Sequence, residues 1–164
     1  MIKKFIYILF FCFFSQLATA AGSDSSSSSS SSSESDNYLD KYKSAKKLVN
    51  RAKKLESKGK TEKALKLYNS AYEELLEANK IESRNPDILN YLGFTLRKTG
   101  KFDQAEKYYL EGLEIKPNHN GINEYLGELY IQTNRIEKAK ERLAVLKNCK
   151  CEEYNELKDL IEKN

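Results

Sequence analysis

The chain has 164 residues, with 28 basic and 24 acidic side chains, one histidine, three cysteines, two prolines and no tryptophan. Abundant Lys, Glu, Leu, Ala and Tyr with so few prolines point to an all-helical domain of ordinary size. The formal net charge of +4 is modest and the charges read as alternating in sign. No basic block looks long enough to track a phosphate backbone, so nucleic acid is not an expected partner.

The first element is a processing signal. Lys3 and Lys4 precede an unbroken apolar run from Phe5 to Phe14, and Ala18-Thr19-Ala20 supplies a small-x-small cleavage pattern. Residues 1–20 therefore read as a signal peptide cleaved after Ala20, with export to a bacterial periplasm. The apolar run is about half of the roughly 20 residues that span a bilayer, so no stable membrane anchor is expected after cleavage. Cys12 leaves with the signal, while Cys149 and Cys151 enter an oxidising compartment. Residues 21–37 are serine at 11 of 17 positions and have little apolar surface to bury, which predicts a disordered arm, either solubilising or tethering.

Residues 38–164 carry a repeat. Gly59-Lys60-Thr61-Glu62-Lys63-Ala64, Gly100-Lys101-Phe102-Asp103-Gln104-Ala105 and Asn134-Arg135-Ile136-Glu137-Lys138-Ala139 are versions of one turn. Tyr91-Leu92-Gly93 and Tyr125-Leu126-Gly127 share the same phase. Gly100 and Asn134 lie 34 residues apart, whereas Gly59 and Gly100 lie 41 apart. The extra seven residues are close to two helical turns, so a longer second helix in the first repeat keeps its buried face in phase.

In the central segment, Leu89, Leu92-Gly93, Leu96, Gly100, Phe102, Ala105, Tyr109, Gly112-Leu113 and Pro117 stand in one register. Small residues let paired helices cross closely, large apolar ones fill the space between, Gly100 ends one helix and Pro117 the next. This pattern resembles the tetratricopeptide repeat closely. The resemblance implies repeats at about 45–84, 86–119 and 120–150. After Cys151, Tyr154, Leu157, Leu160 and Ile161 share one face of a helix over 152–163, as a terminal cap requires. The expected fold is all-α: a right-handed superhelix of three antiparallel helix pairs plus that capping helix.

Arrays of this kind bind partners on the concave surface lined by the first helix of each pair. Alignment to the family places Val49, Lys53 and Glu56 there from the first repeat. The second contributes Asp87, Asn90, Phe94 and Arg97, and the third Glu124, Glu128 and Ile131, with His119 near the groove mouth. The carboxylate clamp found in some such proteins would use Asn90 and Lys53. Val49 stands in place of its lysine, however, and Glu124 in place of its arginine. Glu124 and Glu128 would repel a carboxylate, so a basic or neutral protein or peptide segment is the expected partner.

No catalytic or cofactor motif stands out: the mature chain has one histidine, and no GxSxG, HExxH or phosphate-binding glycine loop. A non-catalytic scaffold or adaptor is the leading expectation. The alternative is a thiol-based redox or copper-handling protein using Cys149 and Cys151. That pair can form a disulfide at the bend before the cap, remain reduced or pair between molecules, or hold a soft metal. The AAGSDSSS start, HNGINEYLGELY and CEEYNELKDLI together resemble a group of small exported proteobacterial tetratricopeptide proteins. That resemblance implies a periplasmic repeat scaffold without catalytic activity.

Overall fold

Three turns of identical construction punctuate the chain. In each, a residue of positive φ (Gly59, Gly100, Asn134) ends a helix, and the next amide reaches back to the carbonyl five residues earlier. Lys60 N–H donates to Leu55 O at 2.9 Å, Lys101 N–H to Leu96 O at 2.9 Å and Arg135 N–H to Tyr130 O at 2.7 Å. This is the Schellman closure, and it satisfies carbonyls that the helix end leaves open.

The computed structural model describes residues 30–164, the side chains from residue 37 on. Seven helices make up the described residues: α1 (Ser30–Glu56), α2 (Thr61–Ile81), α3 (Pro86–Lys98), α4 (Phe102–Ile115), α5 (Asn120–Gln132), α6 (Ile136–Leu146) and α7 (Glu152–Glu162). They pack as the hairpins α1–α2, α3–α4 and α5–α6, with α7 laid against α5 and α6. The protein is an all-α helical-repeat solenoid with a capping helix. At 21 residues α2 exceeds the 14 of α4 by the seven that the turn spacing requires.

One boundary differs from expectation. α1 opens at Ser30, inside the segment read as a disordered arm (21–37). Tyr38 and Tyr42 pack against the core and fix the helix there. Once a helix is nucleated, each further residue gains a backbone bond at modest cost, so it runs back into the serines. The predicted signal peptide, its cleavage point and the start of the arm lie outside the described residues.

The core falls into two clusters, one over α1, α2 and the start of α3 and one from the end of α3 to α6, bridged by half-buried Tyr72, Tyr108 and Tyr125. Tyr68, Leu75, Ile88, Leu89, Leu92, Leu96, Tyr109, Ile122, Leu126, Leu129, Leu146 and Leu157 are all buried. Helix crossings are close where glycine lies between them: a Cβ at Gly127 would fall 2.5 Å from Leu157 of the cap. The odd-numbered helices approach one another most closely, α1 with α3 and α3 with α5, whereas α2 and α4 stand farther apart and meet through long side chains, Tyr72 against Tyr108. The array therefore curves toward α1, α3 and α5, which form its concave face.

Candidate functional site

Aromatic rings floor the concave face and cations cover them. Phe94 on α3 and Tyr125 on α5 pack at a tilt of 49° with centroids 4.9 Å apart, and Tyr68 on α2 meets Phe94 edge-on at 5.8 Å. Lys53 on α1 holds its ammonium 4.8 Å from the Phe94 centroid and donates to the Tyr125 hydroxyl at 3.3 Å. The Arg97 guanidinium lies 5.5 Å from Phe94 and 5.7 Å from Tyr125, and pairs with Glu128 at 2.7 Å. Each contact is of the cation–π kind, strongest where water is excluded. Toward the N-terminal end, Tyr42 and Tyr91 meet edge-on at 5.7 Å beneath Lys46.

A second ion pair ties α1 to α3. Lys98 Nζ lies 2.6 Å from a Glu56 carboxylate oxygen, and the Tyr68 hydroxyl donates to the other oxygen at 2.9 Å. Partial burial pushes the Glu56 carboxyl up, but the hydrogen bonds from Lys98 and Tyr68 outweigh it and hold it below its ordinary value.

The predicted surface residues divide. Lys53 and Asp87 are exposed, and Glu128 and Ile131 are half-buried. Asn90, Phe94, Arg97 and Glu124 are buried, and Val49 is a core residue packed beside Ala45 and Ala52. Phe94 was expected as an exposed apolar contact. It is 2% exposed because neighbouring rings and the Lys53 and Arg97 stems close over it. His119 sits within the fold as the N-cap of α5: its Nδ1 accepts from Ile122 N–H at 3.2 Å, and its Nε2 donates to Asp87 Oδ1 at 3.1 Å.

The two glutamates do not make the groove acidic. Glu128 is matched by Arg97. Glu124, 3% exposed, is covered where α7 lies against α5. Burial, a hydrogen bond with the Glu156 carboxyl, and the charges of Glu128, Glu156 and Glu153 raise its pKa to about 9. It is a neutral acid at physiological pH, as desolvation and like charges dictate. The repulsion that suggested a basic partner is therefore absent. The groove cations without a carboxylate partner among the described residues are Lys46 and Lys53.

Glu124 has a consequence for stability. An unfolded glutamate loses its proton near pH 4.3, whereas the folded one keeps it to about 9. Between those values the folded chain binds the extra proton, so this stabilisation is complete below the lower value and lost as pH rises through the upper. The melting temperature is expected to fall from about pH 5 to about pH 9, and Glu124→Gln to flatten that fall. Circular-dichroism melts of both proteins across this range check it.

Sequence reading missed Tyr42, Lys46, Tyr91 and Tyr125 as site residues. The signal was present, because Tyr91 and Tyr125 are 34 residues apart and hold equivalent positions on α3 and α5. At the other end of the array, Cys149 and Cys151 lie with Cα atoms 5.1 Å apart and sulfurs at bonding distance, around Lys150 at φ 51°. Among the described residues no group of three or more His, Cys, Asp or Glu is placed to hold a metal ion.

Residues 86–119 match the tetratricopeptide repeat model, the segment α3–α4 and the turn to α5. Residues 42–93 match the model of the MIT (microtubule interacting and transport) domain, which covers part of α1, α2 and the start of α3. Over 81 residues, 49% of this chain, it is 27% identical to the human protein O-mannosyl-transferase TMTC3, of which it spans only 9%. Similar solved structures include the Arabidopsis OM64 TPR domain, at 14% identity and TM-score 0.48, covering 75% of this chain and 98% of that one. The Sgt2 TPR domain of Aspergillus fumigatus is 16% identical with TM-score 0.49, covering 73% and 77%. The second TPR of Spaghetti (RPAP3), solved with an HSP90 peptide, is 15% identical with TM-score 0.42, covering 68% and 95%. The repeat register and the three equivalent turns show a helical-repeat protein, of which residues 86–119 match the tetratricopeptide repeat model.

Proposed function

We propose that this chain is an exported, non-catalytic scaffold that holds an extended segment of a partner polypeptide along the concave face. The observation that carries this reading is the ring floor of the concave face, Phe94 packed against Tyr68, with the reachable cations Lys53 over it and Lys46 over the neighbouring Tyr42 and Tyr91. Half-exposed Tyr91 and Tyr125 flank this floor as amphipathic contact surfaces. Lys46 and Lys53 favour an acidic or neutral segment. The Cys149–Cys151 pair is read as a staple that sets the angle of α7.

Peptide display against the folded protein tests this. Enriched sequences are expected to be acidic or neutral, and Lys46→Glu/Lys53→Glu is expected to weaken their binding at least about tenfold. Glu124 and Glu128 are unsuitable for the purpose because both are built into the fold. Enriched peptides that bind this variant as tightly as the parent would place the contact elsewhere.

A further inference from the structure

Charge along the chain is less evenly mixed than the alternating pattern expected of it, and the linear order already shows this. Residues 41–66 hold ten lysines and Arg51 against two acids, Glu56 and Glu62. Packing residues separate the cations in sequence, and the helix gathers them. Lys43, Lys47, Arg51 and Lys54 recur at spacings of three and four, all exposed, on the side of α1 opposite buried Ala45, Val49 and Ala52. Lys43 to Lys54 spans about 16 Å of helix axis, and exposed Lys58, Lys60 and Lys63 continue the row through the turn. Within 41–66 the one cation paired with a carboxylate among the described residues is Lys41, with Glu74 at 3.4 Å. Arg51, Lys54 and Lys58 also surround a shallow hollow of about 180 Å³ with Leu55 on its wall.

We propose that this outer face of α1 docks reversibly on a bilayer rich in anionic phospholipid, with headgroup phosphates along the row. The chemistry of the row selects this occupant. Lysine is depleted from protein–protein interfaces, whose anchors are aromatic residues and arginine. Here the row has one arginine and no aromatic side chain. Single-stranded nucleic acid is held by stacking rings, and base edges by arginine, asparagine or glutamine forks. A file of strongly hydrated point charges on one helix face, beside a hollow with an apolar wall, suits a fluid array of phosphates instead. This surface is separate from the concave groove, so its failure would leave the peptide-binding reading untouched.

Co-sedimentation of the full chain with two vesicle types tests it, one of phosphatidylcholine alone and one of phosphatidylcholine mixed with phosphatidylglycerol. The N-terminal apolar run and the Lys3 and Lys4 that precede it also favour anionic vesicles, so the comparison of parent with variant, which share that segment, isolates the α1 face. Binding is expected to favour the anionic vesicles and to weaken as salt is raised. Lys47→Glu/Arg51→Glu/Lys54→Glu should lower it on the order of a hundredfold while leaving the circular-dichroism spectrum and the melt unchanged. Equal binding to both vesicles, or undiminished binding by the variant, overturns the proposal. Tighter binding to a DNA duplex at equal phosphate concentration overturns it in favour of nucleic acid.

Discussion

Replacing Glu128 with Ala is expected to destabilise the fold by about 3–5 kcal/mol, the usual effect of stripping one partner from a buried ion pair. The Arg97 side chain is 2% exposed, and Glu128 is the one carboxylate it meets among the described residues. The guanidinium has no route to water, because Phe94 and Tyr125 lie against it and Tyr109 is its neighbour. Removing the pair as a whole is a different matter. Arg97→Met with Glu128→Leu fills the same space without a charge, and is expected to be much milder than Glu128→Ala alone. Urea unfolding of the parent, the single variant and the double variant decides it, provided the slope with denaturant stays constant.

The second large effect centres on Tyr109, which is fully buried where α3 and α4 cross. Tyr109→Ala is expected to destabilise by about 3–5 kcal/mol through lost burial and the cavity left behind. Its ring also dictates what can stand opposite. A Cβ at Gly93 would fall 2.5 Å from Tyr109 Cε1, so Gly93→Ala overpacks a site that cannot give way. The overpacking costs about 1–3 kcal/mol, and the gain of about 1 kcal/mol in helix propensity offsets part of it. With Tyr109→Leu already present the obstruction is removed, and Gly93→Ala should become neutral or stabilising. A double-mutant cycle measured by chemical denaturation reads that reversal as a coupling energy.

Local chemistry made much of the fold legible. Gly59, Gly100 and Asn134 announce their turns because a left-handed residue is needed there. The repeat bound at residue 86 matches the start of α3, and the structure adds its cap: the Asn85 side chain accepts from Asp87 N–H at 3.0 Å and Ile88 N–H at 3.4 Å. The 41-residue spacing between the first two turns foretold the length of α2. The site was harder to read, because its character depends on which faces meet across repeats. Nothing adjacent to Phe94 in the sequence says that Lys53 and Tyr125 will cover it. Nothing beside Glu124 says that Glu153 and Glu156 will arrive on α7. Arg84, at φ 61°, and Lys150, at φ 51°, adopt the left-handed conformation without the glycine or asparagine that signals it elsewhere.

The Lys53–Tyr125 bond joins the first hairpin to the third across the whole concave face, passing over α3. Such a bond works as a clasp on the curvature of the superhelix. It acts beside the packing of α3 against both neighbours and the Lys98–Glu56 and Arg97–Glu128 pairs, so a guest that takes the ammonium or the phenol hydroxyl replaces one strand of the restraint. Under the proposed binding, a guest that displaces this bond is expected to change the distance between α1 and α5, and an unchanged distance would show that the packing alone sets the bend.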